Sequence, residues 1–392
     1  MNICYLSKTF GIANGGIESY TLSMAQALAG RGHSVHIVAR GKADGTQVLE
    51  HGILLHTIRH RDSLFKGAWH IERHFPLSWV VYSRKVSHMM HRIVERYSIE
   101  VIESPNWCLE GMWYSFKKTI PLVVRMHVCT PEYARLGIIK SHIRAKTVMR
   151  IERYLLRNAD AVTSPSLFVA RETCKAYPRA GQITVIPNSV DDGLIGLTKE
   201  QESERPLVLF VGRLEKNKGI EVMEKIIEKV LSVRTDTLFL FVGMDTRIPG
   251  TRKLWGARLM EKYPGNVESC GQLPSNEVIA AYQRAWCCLV PSLSEAFGMS
   301  AVEATACGTP VIASATGGLK EIIQEGVNGL LVEPGDHEGF SDAVVRLISE
   351  HGYRRELSAK AAKLSLQRYA KEIITEKAVR LYEKTIRGYA KG

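Results

Sequence analysis

Short apolar runs alternate along this chain with longer stretches in which apolar residues recur every three or four positions. That is the pattern of buried parallel strands covered by amphipathic helices. In the first half the runs at 2–6, 34–39, 53–58, 101–104, 122–125, 161–164 and 184–186 read as strands. A helix is expected from about Ile17 to Gly30, where Gly30-Arg31-Gly32 breaks it. The second half restarts the rhythm, with strands at 207–211, 238–242, 287–290 and 311–313 and helices at 219–233, 275–285 and 337–349. Residues 370–389 carry a long helical pattern with no strand after it. Between the halves, residues 187–193 supply turn formers and 198–205 supply solvated charge, the composition of a linker.

This rhythm predicts an α/β chain of two doubly wound, Rossmann-like domains, which suits 392 residues better than a single core. The boundaries expected are 1–187 and 188–369, with the helix at about 370–392 packing back on the first domain. Ligands of such sheets gather at the carboxyl ends of the strands, so both sets of ends are expected to face a central cleft.

Composition narrows the class. No apolar stretch approaches the roughly 20 residues of a spanning helix, and the opening residues read as a strand rather than a leader, so a cytoplasmic protein is expected. The eight cysteines show no metal-ligand spacing and read as reduced thiols, with Cys287 and Cys288 pointing to opposite faces of one strand. A Walker loop is absent, and no Gly-x-Gly-x-x-Gly follows either opening strand, against nucleotide hydrolysis and a nicotinamide cofactor.

Candidate chemistry sits where strands run into helices. Residues 291–304 pass from a strand through a polar turn into a helix expected to begin near Gly298. Backbone N–H groups at such a start carry partial positive charge and suit a diphosphate. Glu295 lies in the turn, placed to touch a sugar, and Glu303 lies in the second helical turn, placed to accept from ribose hydroxyls. Phe297 and Met299 flank Gly298 in the same segment. Residues 210–219 repeat the arrangement, with Arg213 and Lys218 bracketing a turn where two cations could converge on one anion. In the first half, Gly15 and Gly16 follow the first strand, where they would allow positive φ and close approach of a ligand. His127 follows the strand at 122–125, again at a carboxyl end.

Taken in this order, the pieces resemble the family-4 retaining glycosyltransferases of the GT-B fold, over nearly the whole chain. Asn14-Gly15-Gly16-Ile17-Glu18 is similar to that family's glycine loop and His127 to its active-site histidine. Residues 164–166 and 185–191 are similar to its interdomain stretch, with Ser189 where glycine is commoner. Arg213 and Lys218 are similar to its diphosphate-binding pair. Glu295 and Glu303, with seven residues between them, fit its E-x7-E signature, and Gly317-Gly318 and residues 328–332 fit later landmarks. The resemblance implies hexosyl transfer from a nucleotide diphosphate sugar, with retention and without a metal or other cofactor. Its acceptor would be a saccharide or a lipid-linked acceptor in bacterial-type polysaccharide or glycoconjugate synthesis. Arg213, Lys218 and the helix start would neutralise the departing phosphate, Glu295 would hold sugar hydroxyls and Glu303 the ribose. His127 would hydrogen-bond the sugar or compensate charge, and Gly15 and Gly16 would close on donor or acceptor. A nucleotide-sugar epimerase of the same fold is the nearest alternative.

Charge adds a partner. Residues 1–187 hold 25 Lys and Arg against 13 Asp and Glu, whereas residues 188–392 hold 27 of each, so the first half carries the whole net charge of +12. The first half should therefore face something anionic. No nucleic-acid-binding module is recognisable, which disfavours a basic nucleic-acid-binding protein. Residues 133–157 contain seven cations, with Arg144, Arg150, Arg153 and Arg157 at near-helical spacing, against the single acid Glu152. Residues 66–85 mix Trp69, Phe75, Trp79 and Tyr82 with Lys66, Arg73, Arg84 and Lys85. Together they suggest peripheral docking on an anionic membrane.

Overall fold

In the computed structural model the described residues are 1–11, 15–61, 69–178, 181–190, 192–194 and 202–391. The chain separates into two compact units, Met1–Ser189 with Lys371–Gly392, and Val190–Ala370.

In the first unit the elements follow as β1 (Asn2–Leu6), α1 (Gly16–Gly30), β2 (Ser34–Gly41), β3 (Gly45–Val48) and β4 (Leu54–Arg59). Next come α2 (Trp69–His74), α3 (Leu77–Tyr97), β5 (Val101–Pro105) and β6 (Leu122–Arg125). The unit continues with α4 (Thr130–Arg135), α5 (His142–Asn158), β7 (Ala161–Ser164), α6 (Leu167–Ala176) and β8 (Ile183–Val185). The eight strands order as β3-β4-β2-β1-β5-β6-β7-β8, parallel except for β3 against β4. The winding direction reverses between β1 and β5. Residues Ile3 to Leu6 of β1 are at most 2% exposed, as a strand covered on both faces requires.

The second unit runs β9 (Leu207–Val211), α7 (Ile220–Val233), β10 (Leu238–Val242), α8 (Trp255–Lys262), β11 (Val267–Ser269) and α9 (Ser275–Arg284). It continues with β12 (Cys287–Val290), α10 (Met299–Ala306), β13 (Val311–Ser314), α11 (Leu319–Ile322), β14 (Gly329–Val332), α12 (His337–Ser349) and α13 (His351–Tyr369). Its sheet orders as β11-β10-β9-β12-β13-β14, all parallel, and reverses between β9 and β12. Each face has its own core: Cys288 points into one and Cys287 into the other. Of the eight cysteines, Cys174 and Cys270 are exposed and the rest are buried.

After α13 the chain returns to the first unit as α14 (Lys371–Tyr389). Ile374, Ala378 and Tyr382 of this helix join the core formed by β1, β2 and α1. Full burial of Ile374 contributes about 1.5–3 kcal/mol, and the Ala378 methyl and the Tyr382 ring add to it. The Tyr382 hydroxyl also meets that of Tyr5, 2.9 Å away.

Three strands were not expected from the apolar runs: β3, β11 and β14. All three are edge strands. An edge strand need not be apolar on both faces, and the four residues of β3 are all exposed. Among the described residues no helix is long and apolar enough to cross a membrane.

Candidate functional site

The second unit gathers three strand-to-helix turns at the carboxyl ends of β9, β12 and β13, beside the point where the winding reverses. Adjacent strands bring together residues far apart in sequence. Lys218, in the turn after β9, places Nζ 2.5 Å from Oε2 of Glu295, in the turn after β12. The two side chains are 25% and 13% exposed, so the pair is largely shielded from water. Ser292 donates its hydroxyl to the same carboxylate oxygen at 3.2 Å.

The backbone locks these turns together. Leu293 N–H donates to Asn217 O at 2.9 Å, and the Asn217 amide donates to Ser294 O at 3.4 Å. Gly219 closes the first turn at φ 78°, and a Cβ there would lie 2.0 Å from Pro291 O, so only glycine lets the turns meet. Gly317, after β13, sits at φ 53°, and a Cβ there would lie 2.0 Å from Glu295 O. Gly318 N–H donates to that carbonyl at 2.9 Å, which fixes the backbone of Glu295 from a third strand end.

Arg213 does not share the Lys218 contact. Its side chain is 61% exposed and pairs with Glu215 at 2.9 Å. An exposed ion pair of that kind contributes little, so the guanidinium can exchange Glu215 for a phosphate at small cost. Helix α10 starts at Met299 with Gly298 as its N-cap and no side chain capping it. Phe297 is only 6% exposed and packs edge-on to Tyr369 with ring centroids 5.7 Å apart. Its side chain belongs to the core, which leaves only its backbone to line the turn. Glu303, on α10, accepts from the hydroxyl of Tyr282 at 3.0 Å. Burial, and then the charge of Glu303, hold the Tyr282 phenol well above its ordinary pKa, so it stays a donor. The sequence drew no attention to Tyr282, whose role depends on packing between α9 and α10.

In the first unit His127 lies just past β6. Its backbone N–H donates to the Asn106 side chain at 2.8 Å, and its ring meets Tyr20 edge-on at 5.2 Å. Asn106 also takes Arg125 O with its backbone N–H at 2.9 Å and donates to Glu152 at 2.6 Å, clasping the ends of β5 and β6 to α5. Arg125 is fully buried, 3.9 Å above the Tyr20 ring, and donates to Ile186 O at 2.9 Å and to the Asn188 side chain at 2.7 Å. Glu103, which accepts from Tyr20 at 2.8 Å and Tyr382 at 2.7 Å, is the buried acid of this network. Burial and the nearby Arg125 hold the His127 imidazole well below its usual pKa. That favours the neutral ring, which can still hydrogen-bond.

The glycine pair also departs from expectation. Gly15 is extended, with φ −122° and ψ 174°, as N-cap of α1, and Gly16 is the first helical residue. Neither uses positive φ. Asn14 lies outside the described residues. Among the described residues, no group of three or more His, Cys, Asp or Glu is placed to hold a metal ion.

Residues 14–194 match the family described as glycosyltransferase family 4, and residues 198–364 match glycosyl transferases group 1. A D-inositol 3-phosphate glycosyltransferase of Nocardiopsis dassonvillei is 33% identical over 269 residues, which span 62% of this chain and 60% of that protein. Among solved structures, a sucrose-phosphate synthase from Thermosynechococcus elongatus superposes with TM-score 0.78 at 24% identity, covering 99% of both chains. The Anabaena protein HepE, solved with UDP-glucose, superposes with TM-score 0.74 at 21% identity, covering 98% of this chain and 100% of that one. Two parallel-sheet units, matched in order by the two halves of one family, leave one assignment: the chain belongs to the group 1, family-4 glycosyltransferases and has their GT-B fold.

Proposed function

We propose that the chain is a retaining, metal-independent glycosyltransferase that moves a sugar from a nucleoside diphosphate donor to a saccharide or lipid-linked acceptor. The observation that carries this reading is the shielded Lys218–Glu295 pair at the reversal point of the second sheet. There a cation and a carboxylate stand together beside an uncapped helix start, the pairing that a phosphate next to a sugar demands. A uridine diphosphate sugar is the donor class to try first, since HepE was solved with UDP-glucose.

In this reading Lys218, Arg213 and the backbone at Gly298 and Met299 face the diphosphate and offset its charge as it departs. Glu295 turns to the sugar hydroxyls and Glu303, held by Tyr282, to the ribose. The bond from the anomeric carbon to the diphosphate oxygen breaks through an oxocarbenium-like state. The acceptor oxygen bonds to the same face, and its proton passes to the departing phosphate. No protein base is needed for that balance. From the first unit His127 serves as a neutral hydrogen-bonding group, and the backbone at Gly15 and Gly16 as a surface for donor or acceptor.

The test is a panel of nucleoside diphosphate sugars with and without acceptors, read by diphosphate release and by NMR of the anomeric centre. Acceptor-dependent release with the donor's anomeric configuration kept supports the reading. An inverted product refutes retention. Conversion of the donor to its epimer, with no glycoside formed, refutes transfer.

A further inference from the structure

Helix α5 has two sharply different sides. Ala145, Val148, Glu152, Leu155 and Leu156 are buried. Ile143, Lys146, Arg150, Arg153, Tyr154 and Arg157 are all exposed. Successive residues turn by about 100°, so these six fall in one stripe roughly 100° wide. The single acid of α5 does not interrupt it: Glu152 is 0% exposed and bound by Asn106, Thr130 and Tyr177.

The stripe does not end with the helix. Leu136 and Ile138, which precede the helix, are each 39% exposed, and Ile143 in its first turn is 51% exposed. Helix α2 lies alongside, held by His74 Nδ1 at 2.9 Å from Ser141 Oγ; Ile71 on it and Phe75 just after it are 51% and 46% exposed. At the other end Tyr154 stacks on Phe116 at 4.5 Å, and Phe116 meets Trp113 at 5.3 Å. The surface therefore carries aliphatic tips at one end and an aromatic cluster toward the other, with Lys146, Arg150 and Arg153 between them and Arg157 one turn beyond Tyr154.

Three residues that the sequence suggested for such a surface turn inward. Arg144 is 21% exposed, pairs with Glu72 at 3.7 Å and lies 4.9 Å from the Trp79 ring. Trp79 meets Trp107 at 5.1 Å, and Tyr82 is fully buried. Lys66 and the Trp69 side chain lie outside the described residues.

We propose that this face, centred on the α5 stripe and the isoleucines at its N-terminal end, docks on an anionic lipid bilayer. Charge complementarity selects an anionic partner, and the exposed isoleucines select a bilayer. Exposed aliphatic tips enter an acyl layer, and no nucleic-acid-binding module is recognisable in the chain. The face is tied to the candidate residue of the first unit, because α4 begins three residues after His127 and leads directly into Leu136 and Ile138. Delivery of a lipid-linked acceptor is thus the use of the face, and that use alone rests on the transferase reading.

The experiment is cosedimentation of the full chain with phosphatidylcholine vesicles, with and without phosphatidylglycerol, across a salt series. Binding should require the anionic lipid and fall as salt rises. Changing Lys146, Arg150 and Arg153 together to Gln should weaken it about 100-fold, from about a fivefold loss per cation. The pair Ile138→Ser and Ile143→Ser should weaken the part that survives high salt. These side chains are exposed, so the fold should hold, and transfer to a water-soluble acceptor should be unchanged in both variants. Equal sedimentation with both vesicle types overturns the proposal, as does a cation variant that binds like the wild type. Salt-sensitive capture of a single-stranded oligonucleotide with no vesicle binding would overturn it in favour of nucleic acid. Vesicle binding is read without turnover, so failure of the transferase reading would leave this result standing.

Discussion

The Lys218–Glu295 pair allows the chemistry of the candidate site to be separated from its structural role. Lys218→Met keeps most of the stem and removes the charge; Glu295→Gln keeps the shape and the acceptor for Ser292. With side chains only 25% and 13% exposed, each single change strands the partner's charge in a shielded turn. That costs about 1–3 kcal/mol of stability, a downshift of roughly 2–4 °C for each kcal/mol in a unit of this size. The double variant strands no charge, so its melting temperature should recover toward the wild type. Turnover should not recover with it. Loss of one preorganised charge contact to a transition state costs about 2.7–4 kcal/mol, or about 100- to 1,000-fold in rate. All three variants should therefore fall to about 1% of wild type or less, measured by coupled detection of the released nucleoside diphosphate. If Lys218→Met and Glu295→Gln both keep more than about a tenth of the rate, a barrier change under about 1.4 kcal/mol, the site assignment is wrong. A double variant as unstable as the sum of the singles would show that the two groups do not compensate one another.

Under the proposed mechanism, in which Lys218 and Arg213 offset the diphosphate charge, excess EDTA should leave turnover unchanged; loss on chelation restored by magnesium or manganese would count against this. Tyr282→Phe, which removes the 3.0 Å bond to Glu303, should raise KM for the donor several-fold while kcat changes less, since a ribose contact binds ground and transition states alike; a matching fall in kcat with unchanged KM would refute the role. Stability should also depend on pH through Glu110, whose carboxyl burial pushes up to about 8 despite the opposing hydrogen bond from Lys8 N–H. Its folded-state pKa is raised, so its contribution is complete below the unfolded value and is lost at about 1.4 kcal/mol per pH unit until pH passes about 8. Thermal melts should therefore show Glu110→Gln, which preserves the acceptor for Lys8, flattening that decline; an unchanged slope would mean Glu110 is already ionised in the folded protein.

Legibility in the sequence followed burial and locality. Strands covered on both faces, such as β1, β6, β9 and β12, are uninterrupted apolar runs, and their bounds agree with the pattern to the residue. Edge strands lose that signature, which is why β3, with every residue exposed, left no mark. The same division runs through the candidate site. Lys218 and Glu295 are 77 residues apart, yet each announces itself locally as a charge in a turn between strand and helix. Only the strand order makes them neighbours, and two turns at a winding reversal are where that order brings ligand groups together.

Tyr282, Asn106 and Arg125 carry no such local sign, because each acts by joining elements that are separate in sequence. Arg125 is the instructive one. In the sequence it closes an apolar run as a strand-end cation, a residue that would ordinarily face solvent. In the folded unit it is fully buried, set over the Tyr20 ring and bound to the Asn188 side chain and the backbone that follows β8. The excess charge of the first half is thus of two kinds. Arg125 is held inside by the Tyr20 ring and amide oxygens, and Arg144 by Glu72 and the Trp79 ring, whereas Lys146, Arg150, Arg153 and Arg157 are exposed with no acid on their side of the helix. A count of charges cannot distinguish these; helical phase can, since residues three, four and seven apart share a face. Applied to residues 142–158, that phase already sets Arg144 apart from the other cations by roughly a third of a turn or more. What it could not supply was the identity of the element receiving Arg144, which is α2, a short helix whose contact with α5 is made only in the folded chain.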